Sequence, residues 1–143
     1  MHDMISQDKI KDFAEKNNIE FVVLFGSRAK GNFSKESDFD IALLKVGRTK
    51  LFSVLLEYSN FVFEFSKYME NDSAKMDLVD LSQANILLRK EITENGKLLY
   101  GNATDYENYK SFAYRDFIDA RPLFDLESDL AHFKVDFLAK ALA

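Results

Sequence analysis

Apolar residues recur along this chain at two periods, and the changes of period divide it into elements. Between Ser6 and Asn17, the apolar positions Ile10, Phe13 and Ala14 follow helical spacing behind Ser6, a residue type suited to capping a helix start. Residues 19–25, "IEFVVLF", form an unbroken apolar, β-branched run, which predicts a buried strand. Residues 37–44, "SDFDIALL", alternate. Asp38, Asp40 and Ala42 therefore share one face of a second strand, and Phe39, Ile41 and Leu43 the other. From Arg48 to about Asn71 the period returns to that of a helix, through Leu51, Val54, Leu55, Tyr58, Phe61, Val62 and Phe65. Residues 75–81, "KMDLVDL", predict a third strand, and Ser82–Thr93 a helix closed by Asn95-Gly96. "KLLYG" is a short fourth strand or an extended tail.

Beyond that point the pattern is helical again. Tyr106, Tyr109, Phe112, Ala113 and Phe117 make one stripe, and Leu126, Leu130, Phe133, Phe137 and Leu138 a second. Pro122, the only proline, lies between them and is expected to break or kink the helix. The expected organisation is an α/β body at residues 1–102 and a helical extension at residues 103–143. That extension would pack either on the body or on a partner.

Composition narrows the class. The chain has 143 residues, of which 47% are hydrophobic, enough for one core. With 19 basic and 24 acidic residues it carries no cationic excess, which argues against direct nucleic-acid binding through the phosphate backbone. The absence of cysteine excludes disulfides, thiolate zinc sites and cysteine nucleophiles. The opening "MHDMISQDKIKDF" has no apolar core of the kind a signal peptide needs. Charged and amide residues interrupt the apolar stretch from Leu51 to Met69, so no membrane span is expected. The expectation is a cytoplasmic protein.

The candidate chemistry lies in "GSRAKGNFSKESDFD", residues 26–40. Gly26 ends the first strand, where glycine permits a tight turn and close approach by a ligand. Ser27 opens a short "SRAK" helix, whose free N–H groups and dipole favour a phosphate, with the hydroxyl as a further donor. Asp38 and Asp40 point the same way from a strand, with Cα atoms roughly 6.5 Å apart. Two such carboxylates suit Mg²⁺, which takes its remaining ligands from water and substrate phosphates. A phosphate donor beside a metal clamp is apparatus for phosphoryl or nucleotidyl transfer. The same residue types are also ordinary loop formers, and Asp38 on its own reads as a strand start.

Gly26-Ser27, ten residues, then Asp38-Phe39-Asp40 resembles the signature of the nucleotidyltransferase (polymerase beta-like) superfamily. The wider "FGSRAKGNFSKESDFDIAL" is similar to the minimal nucleotidyltransferase (MNT) group, and the resemblance extends over residues 19 to about 100. It implies a small mixed sheet flanked by helices. The small size resembles the antitoxin half of HEPN–MNT toxin–antitoxin pairs. That in turn implies an Mg²⁺-dependent enzyme that transfers AMP from ATP to a tyrosine of a HEPN ribonuclease toxin, in a hetero-oligomer with it. The family's third carboxylate lies on the next strand, where Asp77 and Asp80 compete. The group's pattern favours Asp77, which would complete the metal site and take the proton of the attacking hydroxyl. Asp80 reads instead as a cap for the following helix. Gly26, Ser27 and Arg28 are the expected nucleotide contacts, with Lys30 and Lys35 as weaker candidates.

Two rival functions remain open. One is a non-catalytic antitoxin that neutralises its toxin by contact. The other is transfer to a small molecule of the aminoglycoside type, for which about 40 helical residues make a small second domain. The solitary His2 and His132 match no metal spacing. Arg121 and His132 are too far apart to resemble the active motif of the toxin half.

Overall fold

The computed structural model describes residues 6–31, 38–69 and 75–142. Helix α1 (Gln7–Lys16) starts at Ser6, whose hydroxyl accepts the Lys9 N–H. Strand β1 (Ile19–Phe25) leads into the single turn α2 (Ser27–Lys30), and β2 (Phe39–Lys45) follows. Then come α3 (Leu55–Met69), β3 (Met76–Asp80), α4 (Ile86–Asn95), β4 (Lys97–Tyr100) and α5 (Ala103–Leu142).

The four strands form one mixed sheet in the order β3-β2-β1-β4. β1 runs antiparallel to both β2 and β4, while β2 and β3 run parallel. Side chains alternate between two cores, as a pleated strand requires. Phe39, Ile41 and Leu43 join Met76 and Leu78 in the core under α1 and α3. There Phe13 meets Phe61, Phe65 and Tyr68 edge-on, with centroids 4.8–5.5 Å apart, a favoured aromatic arrangement. On the other face Ala42 and Leu44 pack with Phe21, Val23, Leu81, Ile92, Tyr106 and Tyr109, beneath α4 and α5.

Three elements depart from the sequence expectation. The helix expected from Arg48 begins only at Leu55. Arg48 holds a positive φ of 56°, and the Leu51 N–H donates to Asp80 Oδ2 at 2.8 Å, so this backbone is committed to a turn and to β3. The expected end near Asn71 lies outside the described residues. The helix expected from Ser82 begins at Ile86, capped by Asn85, whose side chain accepts the Leu88 N–H at 2.8 Å. Ser82 is held back because its N–H and hydroxyl both donate to Asp80 Oδ1.

The third departure is Pro122, which does not end α5. Proline's fixed φ is itself helical, so its cost is one missing N–H bond and crowding with the preceding turn. α5 is thus about 60 Å long at the rise of an ideal helix. Its first turns pack on the sheet through Tyr106, Tyr109 and Ala113, and no side chain after Ala113 is buried. Leu126, Leu130, Phe133, Phe137 and Leu138 all stand more than half exposed. No described helix is long and apolar enough to cross a membrane.

Candidate active site

The sheet register brings the candidate acids together. β2 and β3 pair in parallel with Asp40 directly opposite Asp77, so both carboxylates leave the sheet on the same side. Asp38, exposed, precedes β2 on the same parity. Asp80 has the other parity. It is buried at 5% exposure, and its carboxylate accepts from the Leu51 N–H, the Ser82 N–H and the Ser82 hydroxyl. It caps a turn and ties the 48–54 segment to β3, and it faces away from Asp40. Asp77 is exposed rather than embedded, with its Oδ1 accepting from the Tyr58 hydroxyl at 2.9 Å.

Asp40's carboxyl is held above the usual carboxylate range, first by partial burial and then by the negative charges of Asp77 and Asp38. A divalent cation would relieve all of that repulsion. Among the described residues no group of three or more acid, histidine or cysteine side chains is arranged to hold a metal ion by itself. Asp40 and Asp77, opposite one another, leave two carboxylates on one side of the sheet, a partial set that suits an ion completing its shell with water and phosphate oxygens.

Gly26 closes the turn against this face. Its φ of 74° and ψ of −155° lie where glycine alone is comfortable, and a Cβ there would collide with the Asp40 carboxylate. The close approach expected of Gly26 is thus made to a catalytic candidate within the chain itself. Ser27 begins α2, and the Lys30 N–H bonds the Gly26 carbonyl at 3.2 Å. Arg28 is only 6% exposed, and its guanidinium lies 3.9 Å over the Phe39 ring. Since Phe39 sits between Asp38 and Asp40, Arg28 braces the strand that carries both. Lys30 is paired with Glu91 at 3.4 Å on the surface. His132 lies on α5, its Nδ1 2.9 Å from the Ser128 carbonyl oxygen. Lys35 and His2 lie outside the described residues.

Tyr58 is the site residue that sequence reasoning missed. The apolar stripe counted it as core, and its ring does pack against the core under α1 and α3. Its hydroxyl bridges Asp77 and the Leu78 N–H. Burial and the neighbouring Asp77 carboxylate keep its own proton on, above the usual tyrosine range.

A parallel pair of acid-bearing strands beside a Gly-Ser turn, on a small mixed sheet, is the architecture of a nucleotidyltransferase. The model of the family "Polymerase beta, Nucleotidyltransferase" matches residues 8–105, and the chain belongs to that family. Among curated proteins it is similar to the protein adenylyltransferase MntA of Aphanizomenon flos-aquae (strain 2012/KM1/D3). The two are 30% identical over 113 residues, covering 69% of this chain and 75% of that protein. The same fold occurs in a solved toxin–antitoxin structure with AMP-PNP, at a TM-score of 0.64 and 23% identity. That match covers 85% of this chain and 97% of the other. It recurs in a structure of a tri-AMPylated Shewanella oneidensis HEPN toxin in complex with an MNT antitoxin. There the TM-score is 0.56 at 22% identity, covering 83% of this chain and 92% of the other.

Proposed function

We propose that this chain is an Mg²⁺-dependent protein adenylyltransferase that moves AMP from ATP to a tyrosine of a HEPN ribonuclease toxin, and so acts as its antitoxin in the cytoplasm. The observation that carries this reading is the Asp40–Asp77 pair across parallel strands, with the Gly26 turn closed upon Asp40. The MntA relative and the toxin–antitoxin structures sharing this fold supply the acceptor class.

In the proposed reaction, the Gly26-Ser27 turn receives the triphosphate, with backbone N–H groups and the Ser27 hydroxyl as donors. Asp38, Asp40 and Asp77 are the oxygen ligands available to Mg²⁺, which when bound neutralises phosphate charge and aligns the leaving group. The acceptor hydroxyl oxygen bonds to the α-phosphorus, and the bond from that phosphorus to the oxygen bridging it to the β-phosphate breaks. Pyrophosphate leaves with that oxygen. The hydroxyl proton passes to the Asp77 carboxylate and from there to water. Arg28 contributes by fixing β2 from beneath Phe39.

The exposed stripe Leu126, Leu130, Phe133, Phe137 and Leu138 favours a companion surface for the toxin, since large exposed apolar patches mark interaction sites. It also keeps a second reading in view, neutralisation by contact alone. Intact-mass spectrometry of the companion HEPN protein, after incubation with this chain, ATP and Mg²⁺, separates the two. Mass gains in whole AMP units, absent with the Asp38→Asn/Asp40→Asn double variant, support transfer. A stable complex without mass gain overturns it in favour of contact.

A further inference from the structure

We propose that Tyr58 is a positioning residue for the transfer reaction, setting the orientation of the Asp77 carboxylate. This rests on the reading of Asp77 given above. The bonding around the hydroxyl has one solution. β3 is an edge strand whose odd-numbered N–H groups point to β2, as the Leu81 N–H does in reaching the Leu43 carbonyl at 2.9 Å. The Leu78 N–H therefore points off the edge, and it meets the Tyr58 oxygen at 3.3 Å. A backbone N–H only donates, so the tyrosine oxygen accepts there. Its single hydrogen is then directed to Asp77 Oδ1, 2.9 Å away.

The ring that carries this hydroxyl is itself fixed. Phe52 packs against it edge-on, centroids 5.1 Å apart at 83°, and Phe52 in turn touches Phe61 at 5.9 Å. One carboxylate oxygen is thus bound to a rigid donor anchored in α3 and in the backbone of the same strand. Asp77 is exposed, and without this bond its side chain could rotate freely about Cα–Cβ. With the bond, Oδ2 is left in a defined place for the acceptor hydroxyl. Positioning of this kind is what a general base requires before its basicity matters.

The test is a double-mutant cycle of Tyr58→Phe and Asp77→Asn, read as AMP transfer to the companion HEPN protein with radiolabelled ATP. Melting temperature and ATP affinity by calorimetry are recorded for each variant. Tyr58→Phe keeps the ring and loses only the hydroxyl. The expected result is a fall in kcat of about ten-fold, from the loss of a bond to a charged group, with the KM for ATP nearly unchanged and the melting temperature lower by a few degrees, because the Leu78 N–H loses its acceptor. In the Asp77→Asn background the same change should have no further effect, because a residue acting through Asp77 has nothing left to position. A ten-fold loss that persists in that background overturns the positioning role and leaves Asp77 standing. Full turnover by Asp77→Asn alone overturns the reading of Asp77, and that of Tyr58 with it.

Discussion

Replacing Gly26 with alanine should damage stability and activity through the same atoms. Gly26 adopts φ 74° and ψ −155°, a region in which a residue with a Cβ is strained by about 1–3 kcal/mol. The new methyl also has no room, because it would meet the Asp40 carboxylate. Either the turn opens or Asp40 swings away from Asp77, its neighbour across the strands. Adding the displacement of a packed side chain, we expect a total cost of about 2–4 kcal/mol. For a domain of this size that lowers the melting temperature by roughly 6–12 °C.

The catalytic loss should be larger than the stability loss implies. A misplacement of about 1 Å in a reacting constellation costs on the order of a hundred-fold in rate. Gly31→Ala is the internal control, since its φ is also positive, at 80°, but among the described residues, its chain neighbours aside, no atom lies within 4 Å of where its Cβ would be. It should cost about 1 kcal/mol in backbone strain and leave turnover nearly unchanged. Calorimetry and AMP-transfer kinetics at a temperature where both variants stay folded would check this. A Gly26→Ala protein that melts and turns over like Gly31→Ala would refute the contact between the turn and Asp40.

Three further outcomes follow from the same geometry. Asp40→Asn should abolish transfer yet raise the melting temperature of the metal-free protein near neutral pH, by about 1–3 °C, because two like-charged neighbours lose their target. Asp40's folded carboxyl titrates above its unfolded value, so this group's contribution to stability is fully present at low pH and is lost as pH rises from the ordinary carboxylate range through that raised value. The asparagine variant should lack that decline in pH-resolved melts. Asp80→Ala should cost about 2–4 kcal/mol, since it strands the Leu51 and Ser82 donors, while transfer below the melting point persists. A truncation after Leu126 removes no buried side chain among the described residues, so its melting temperature should stay within about 2 °C of wild type. Its complex with the HEPN partner, followed by size-exclusion chromatography, should weaken.

Much of this arrangement is written in local pattern. The alternation at 37–44 assigns Asp38 and Asp40 to one face; Asp40 stands on that face opposite Asp77, and Asp38 precedes β2. The starts of α3 and α4 were not legible, for one reason. Both are displaced by Asp80, whose carboxylate takes the Leu51 N–H from one segment and Ser82 from the other. No periodicity reveals a long-range acceptor of that kind. Pro122 does not end α5, because its fixed φ is itself helical and one N–H bond is a small loss in a helix of 40 residues. Tyr58 fitted the apolar stripe so well that its hydroxyl drew no attention. Its partners lie on β3, 19 and 20 residues further along the chain, and only the fold brings them together.

The choice between Asp77 and Asp80 shows where sequence stops and topology begins. Three residues apart on one strand, they face opposite sides of the sheet by pleat geometry alone. Which side belongs with Asp40 depends on whether β3 runs parallel to β2 and in what register, and neither is visible in "KMDLVDL". Once Asp40 stands opposite Asp77, the two strand acids have opposite fates. Asp80 is buried and surrounded by donors, so its charge holds the chain together. Asp77 shares its face with two other negative charges and takes one proton donor, from Tyr58. Repulsion of that sort is a standing cost to the free protein, and no packing need explains it. It is explained if the face is completed by a cation and a triphosphate, and that is why the like-charged set, more than any one of its members, carries the functional reading.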